Sequence, residues 1–302
     1  MSKILRISKE TMPSVENLRI TVLVEDSTSM ERPDLIAKQG LSFLIETSVA
    51  GSDSRILMDT GPPPDIALQN AETIDVEMRK LDAIVISHGH DDHAGGLLKI
   101  LERVGQPTLV IAHPRALDPK FEKPGRKRGL KYIGAGFDQI SIRAAGGVPL
   151  IANNPVSIVD GVVTSGEVTR ETTFEKVEGF WTVEDERFIE DSIIDDQALL
   201  INIQGRGLVI VTGCTHSGIV NMIRHAQKVT GMSEVYAIVG GLHLTKASDD
   251  RIRATIEELA RINPVSIYPC HCTGSEVTYR LLNSFGDRCR PIRTGDTLEF
   301  QS

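Results

Sequence analysis

The most chemically loaded stretch of this 302-residue sequence is Ser87-His-Gly-His-Asp-Asp-His93. It places three imidazoles and two carboxylates side by side. Neutral nitrogen and anionic oxygen donors of this kind suit Zn²⁺, and also Fe or Mn. His88 and His90 lie two apart, so an extended turn aims both at one cation, and Gly89 lets the backbone turn between them. Asp92 and His93 then face a second cation. One or two divalent transition metals held this way polarise a substrate oxygen and lower the pKa of water toward ~7. Asp92 is the candidate catalytic group, because a carboxylate there can bind a metal and orient the nucleophile or take its proton.

These residues need a scaffold. The apolar run Ala83-Ile-Val-Ile-Ser87 reads as a strand, and Ala94-Gly-Gly-Leu-Leu98 as the opening of a helix. The ligands therefore fall at a strand end, on the rim of a sheet, where sites are commonly built. Further strands are expected at Ile20–Glu25, Leu41–Thr47, Arg55–Met58, Thr108–Ala112, Ala198–Ile203, Leu208–Thr212, Val235–Val239 and Val265–Tyr268. Many are apolar throughout, as in strands covered on both faces. Ser217 is placed to cap a helix that carries Ile219, Ile223 and Ala226 and stops at Gly231. A second helix is expected over about 250–262, with Ile252, Ile256 and Leu259 at helical spacing. His216 sits where a strand gives way to a helix, and His271 follows the last apolar strand, so both suit the same rim. The class is α/β, and the β-rich start also allows mixed sheets packed between helices. Residues 114–195 are less regular and read as an insertion or lid on a single domain spanning 1–302.

Composition limits the possible partners. The chain is 40% hydrophobic and 25% charged, with a net charge of −8. That balance argues against coating nucleic acid. No apolar run approaches the ~20 residues of a membrane span. Met1 to Glu10 lacks an apolar signal-peptide core, so a cytoplasmic location is expected. Cys214, Cys270, Cys272 and Cys289 are then expected to stay reduced, and Cys270-His-Cys272 lacks the gap of a zinc ribbon. Lys120, Lys123, Arg126, Lys127, Arg128 and Lys131 form a basic run, either a solvated loop or a lid attracting a phosphorylated small molecule.

His88-Gly-His90-Asp91-Asp92-His93 resembles the His-x-His-x-Asp-His signature of the metallo-β-lactamase superfamily, with Asp91 in its variable place. Asp59, in Ile56-Leu-Met-Asp-Thr-Gly61, resembles the superfamily aspartate that supports the metal-binding loop from behind the ligands. Val211-Thr-Gly-Cys-Thr-His-Ser-Gly-Ile-Val-Asn221, Val239-Gly-Gly-Leu-His-Leu244 and Tyr268-Pro-Cys-His-Cys-Thr-Gly274 are similar to a narrower branch. That branch is named after the dihydropterin-ribofuranosylaminobenzene-phosphate synthase of methanopterin biosynthesis. The resemblance implies an αββα sandwich, two mixed sheets face to face with helices outside. It also implies one metal on His88, His90 and His216 and another on Asp92, His93 and His271. Many superfamily members have a bridging Asp where this chain has Cys214; a thiolate ligand and a buried, inert cysteine are both open there. His243 is open between a metal or substrate contact and a structural role.

Two enzyme readings follow. The broad one is metal-activated hydrolysis of a phosphoester or other polar ester. The narrow one joins a dihydropterin diphosphate to a ribofuranosylaminobenzene phosphate with loss of diphosphate. A non-catalytic metal-binding sensor is the contrasting class, and the intact His/Asp set argues against it.

Overall fold

The structure, a computed structural model, describes residues 12–123 and 129–302. The first eleven residues, and Arg126, Lys127 and Arg128 of the basic run, lie outside the described residues.

The first half of the chain runs β1 (Asn17–Val24), β2 (Ser42–Val49), β3 (Ser52–Met58), α1 (Ile66–Thr73), β4 (Ala83–Val85), α2 (Asp91–Ala94), α3 (Leu97–Val104) and β5 (Thr108–Ala112). The middle adds β6 (Lys120–Glu122), β7 (Lys131–Tyr132), α4 (Gln139–Ala144), β8 (Gly147–Ile151), β9 (Ser157–Val159), β10 (Val162–Thr164), β11 (Phe180–Glu184) and β12 (Arg187–Glu190). The last part runs β13 (Ala198–Ile203), β14 (Gly207–Thr212), α5 (Ile219–Thr230), β15 (Val235–Gly241), α6 (Asp249–Ile262), β16 (Ser266–Cys270), α7 (Ser275–Phe285) and β17 (Thr297–Gln301).

Two large mixed sheets result. One has the order β17-β1-β2-β3-β4-β5-β8 and the other β16-β15-β14-β13-β10-β9. Strand periodicity sorts their side chains. In β3, Ile56 and Met58 join Phe43, Ile201 and Val209 in the core between the sheets, while Leu57 joins Ile84, Leu97 and Leu101 on the outer face. The outer face of the second sheet packs Leu200 and Ile210 against Ile223, Leu259 and Leu281 of α5, α6 and α7. The fold class is the expected αββα sandwich. The parallel strands β3, β4, β14, β15 and β16 bring their C-terminal ends to one rim.

Residues 114–195 differ from the expected irregular insertion. Among the described residues they contain seven strands: β8 extends the first sheet, β9 and β10 extend the second, and β12-β11-β6-β7 form a third, four-stranded sheet. The segment was hard to read because these strands are only 2–5 residues long. Such runs are too short to show a period. Ser217 does not cap α5. Its N–H and hydroxyl donate to Asp196 (2.9 and 2.6 Å), and Glu175 instead accepts the N–H groups of Val220 and Asn221 (both 2.9 Å). The helix ends at Gly231 in the left-handed region (φ 73°), as its sequence predicts. Among the described residues, no helix is long and apolar enough to cross a membrane.

Candidate metal centre

Asp59 leaves β3 in the left-handed conformation (φ 59°), which turns its carboxylate under the end of β4. One oxygen accepts the Ser87 N–H and the other accepts the Ser87 hydroxyl and faces His93 Nδ1, each at 2.7 Å. Gly213 makes this approach possible, since a Cβ there would stand 2.2 Å from Ser87 Oγ. The carboxylate fixes the His93 ring with Nε2 forward. Ser87 Oγ does the same for His88 through Nδ1 (2.9 Å). Gly89 is required by space rather than by φ, since a Cβ would lie 2.2 Å from the Ala116 carbonyl oxygen.

Two groups of donors converge. His88 Nε2 lies 2.9 Å from His90 Nδ1 and 3.2 Å from His216 Nε2. His93 Nε2 lies 3.3 Å from His271 Nε2, and the Asp92 carboxylate is 4.0 Å from the first and 3.6 Å from the second. Nitrogens ~2.0–2.1 Å from a tetrahedral cation would sit about 3.3 Å apart, so these spacings fit a metal. Cys214 Sγ is 3.1 Å from His93 Nε2 and groups with His88 and His93, between the two sets. The His243 ring packs on His216 with centroids 4.1 Å apart.

The two sets differ electrostatically. Burial holds His88, His90 and His216 well below the ordinary imidazole value, His90 at about 3. They are neutral rings, each able to offer one nitrogen lone pair to a cation. At His271 burial opposes protonation, but the Asp26 bond (2.7 Å), then the Cys272 and Asp92 charges, outweigh it and lift the ring to about 10. At His93, Asp92 and Asp59 likewise outweigh burial. His93 and His271 of this second set favour their protonated forms, and a cation would have to displace those protons.

Asp26 was not among the sequence candidates. It stands at the end of β1 and orients His271 from 245 residues away, while Glu25 accepts the His271 N–H at 2.7 Å. Cys272 and Phe180 were missed too. Phe180 comes from the third sheet and packs on His90 and His216, with centroids 5.1 and 5.2 Å away. Asp195 and Asp196 are both supports. Asp195 accepts the Gly89 N–H (2.7 Å) and pairs with Lys120 (2.8 Å), which also pairs with Asp191 (2.9 Å). Lys120 is thus a buried ion-pair residue and not part of a solvated or anion-attracting loop. His113 and His225 lie outside the centre; they accept the backbone N–H groups of Arg115 and Thr169. The donors open into a cleft of about 1050 Å³ whose walls include Lys38, Lys123, Lys131, Lys176, Lys246 and Arg251.

The family model described as the metallo-beta-lactamase superfamily matches residues 35–220. The chain belongs to this superfamily. It is 32% identical over 297 residues to the 7,8-dihydropterin-6-methyl-4-(beta-D-ribofuranosyl)-aminobenzene-5'-phosphate synthase of Methanocaldococcus jannaschii, covering 95% of this chain and 98% of the relative. An uncharacterized protein of the same organism is 31% identical over 88% of this chain and 95% of its own. A crystal structure of a metal-dependent hydrolase of the beta-lactamase superfamily superposes with a TM-score of 0.79 and 26% identity, over 94% of this chain and all of the other. The superfamily generally binds divalent metals, and this chain is an enzyme of it.

Proposed function

We propose that the chain is a two-metal hydrolase of a phosphorylated or otherwise polar ester, with zinc the best-fitting cation and iron or manganese the alternatives. The observation that carries this reading is the pairing of an all-imidazole set with a mixed Asp92/His93/His271 set in one cleft. His88, His90 and His216 hold the first metal, and Asp92, His93 and His271 the second. When bound, the metals supply Lewis acidity to a substrate oxygen and to water. The protein supplies the rest. Asp59 and Asp26 keep the His93 and His271 rings aimed inward. Asp92 lines the cleft, where its carboxylate can orient the attacking water and take its proton. Burial opposes the Asp92 charge, but His93 and His271 outweigh it and hold the carboxyl below its ordinary value, so it is ionised at neutral pH.

The second reading is transfer of a dihydropterin group onto a ribofuranosylaminobenzene phosphate with release of diphosphate. The full-length similarity to the synthase favours it. Metal-defined protein should be offered phosphomonoesters, phosphodiesters, lactones and a dihydropterin diphosphate, the last with and without the aminobenzene partner. Hydrolysis of an ester supports the first reading. Diphosphate release that needs the partner replaces it with the second.

A further inference from the structure

We propose that Cys272 and Cys214 together give the metal at His271 a pair of thiolate ligands, so that this position selects a thiophilic cation such as Zn²⁺ or Co²⁺ over Mn²⁺ or Mg²⁺. The proposal rests on His271 being a ligand, as in the reading above, and adds Cys272 to it.

Cys214 Sγ, a His271 ring nitrogen and Cys272 Sγ all lie within 4.8 Å of one another. Two sulfurs sharing a tetrahedral cation at ~2.3 Å would stand somewhat under 4 Å apart, inside that limit. The backbone brings them there from two strand ends. Cys214 follows β14. Cys272 follows β16 in a short 3-10 turn whose first residue, His271, takes a left-handed φ of 49°. That turn carries His271 and Cys272, neighbours in sequence, to the same cleft. Gly241 at the end of β15 leaves the space for the sulfur, since a Cβ there would sit 2.6 Å from Cys272 Sγ. The His243 N–H donates to Cys272 Sγ at 3.3 Å, a bond that favours negative charge on sulfur.

His271 therefore belongs to two sets. With Asp92 and His93 it offers nitrogen and a hard oxygen, and with Cys214 and Cys272 it offers nitrogen and soft sulfur. A cation that prefers oxygen gains little from the second set; a thiophilic one gains two strong bonds. On binding, each thiol gives its proton to solvent and its lone pair to the metal, with no change of oxidation state.

The test is spectroscopic. Metal-free, reduced protein is titrated with Co²⁺ without air, and the near-ultraviolet sulfur-to-cobalt charge-transfer band is followed beside the visible ligand-field bands. The wild type should show both. Cys272→Ser should weaken the charge-transfer band, and Cys214→Ser with Cys272→Ser should abolish it while cobalt remains on the imidazoles. Ligand-field bands with no charge-transfer band in the wild type overturn the thiolate proposal and leave the His/Asp centre standing. An unchanged band in folded Cys272→Ser overturns the role of Cys272. No cobalt uptake at all overturns both this proposal and the metal-enzyme reading beneath it. If the variants do not fold, X-ray absorption of the zinc-loaded wild type decides: a sulfur shell near ~2.3 Å is expected, and a shell of nitrogen and oxygen alone refutes the proposal.

Discussion

His88, His90 and His216 enter the centre as neutral rings already turned toward a common point, and this decides which residue of the GCTHSG turn is indispensable. His216 Nε2 is 3.2 Å from His88 Nε2, and burial keeps the ring neutral. Burial also pushes the Cys214 thiol well above its usual value, so it must lose a proton before it can bind. His216→Ala should therefore lose at least one metal and most activity, whereas Cys214→Ser should keep the first metal and at most weaken the second. Metal analysis of both variants checks this, and full metal in His216→Ala would refute it. The two adjacent aspartates separate in the same way. Asp92 faces His93 and His271, while the Asp91 carboxylate is absent from every convergent donor set among the described residues. Asp92→Asn keeps the shape and removes the charge, so turnover should fall by about 10²-fold or more with circular dichroism unchanged. Asp91→Asn should be mild, and equal losses in both would contradict the assignment.

The third sheet is tied to the metal loop by one buried cation. Lys120 on β6 is only 1% exposed and pairs with Asp191 and Asp195. The second oxygen of Asp195 accepts the Gly89 N–H, between His88 and His90. Lys120→Met fills the space but leaves two buried carboxylates without their cation, which should cost about 3–5 kcal/mol. It should also weaken the first metal more than the second, because the released Gly89 lies in the His88–His90 turn. Chemical denaturation and a metal titration read the two effects. A stability loss with unchanged metal affinity would make the pair purely structural. None of this was legible in the sequence, where Lys120 looked like the start of a solvated basic run. The long apolar strands and the His88–His93 run were legible because their signals are local: a strand period, and ligands two or three residues apart. Asp26, Lys120 and Phe180 come to the centre or its supports only through strand pairing and sheet packing, as the 245-residue separation of Asp26 and His271 illustrates, whereas Cys272 adjoins His271 and was passed over because its spacing matches no zinc ribbon. One missed element did carry a local signal, since Val277, Leu281 and Phe285 sit four apart on the buried face of α7.

The centre joins the two halves of the sandwich. Asp59, His88, His90 and His93 come from the rim of the first sheet, whereas Cys214, His216 and His271 come from the second. Bound metal should therefore stabilise the whole molecule by mass action, and the metal-free protein should show the protonation of the empty sites in its stability. The two histidine sets act in opposite directions. The rings of His88, His90 and His216 have folded values below the ordinary 6.5, so their contribution is present above 6.5 and is lost as pH falls, because the unfolded chain then takes up protons that the folded one refuses. His271 is raised to about 10, so its contribution is full below 6.5 and is lost as pH rises toward 10. The site's share of stability in the metal-free protein should thus peak near pH 6.5 and decline on both sides. Saturating zinc should remove the alkaline decline, since the metal then occupies the place of the His271 proton. Unfolding midpoints across the pH range, with and without zinc, test this. Metal-free His271→Gln should lose the alkaline limb and keep the acid one. A wild-type midpoint that climbs steadily from pH 6.5 to 9 without metal would show that the Asp26–His271–Asp92 arrangement does not hold its proton, and that the second site is as neutral as the first.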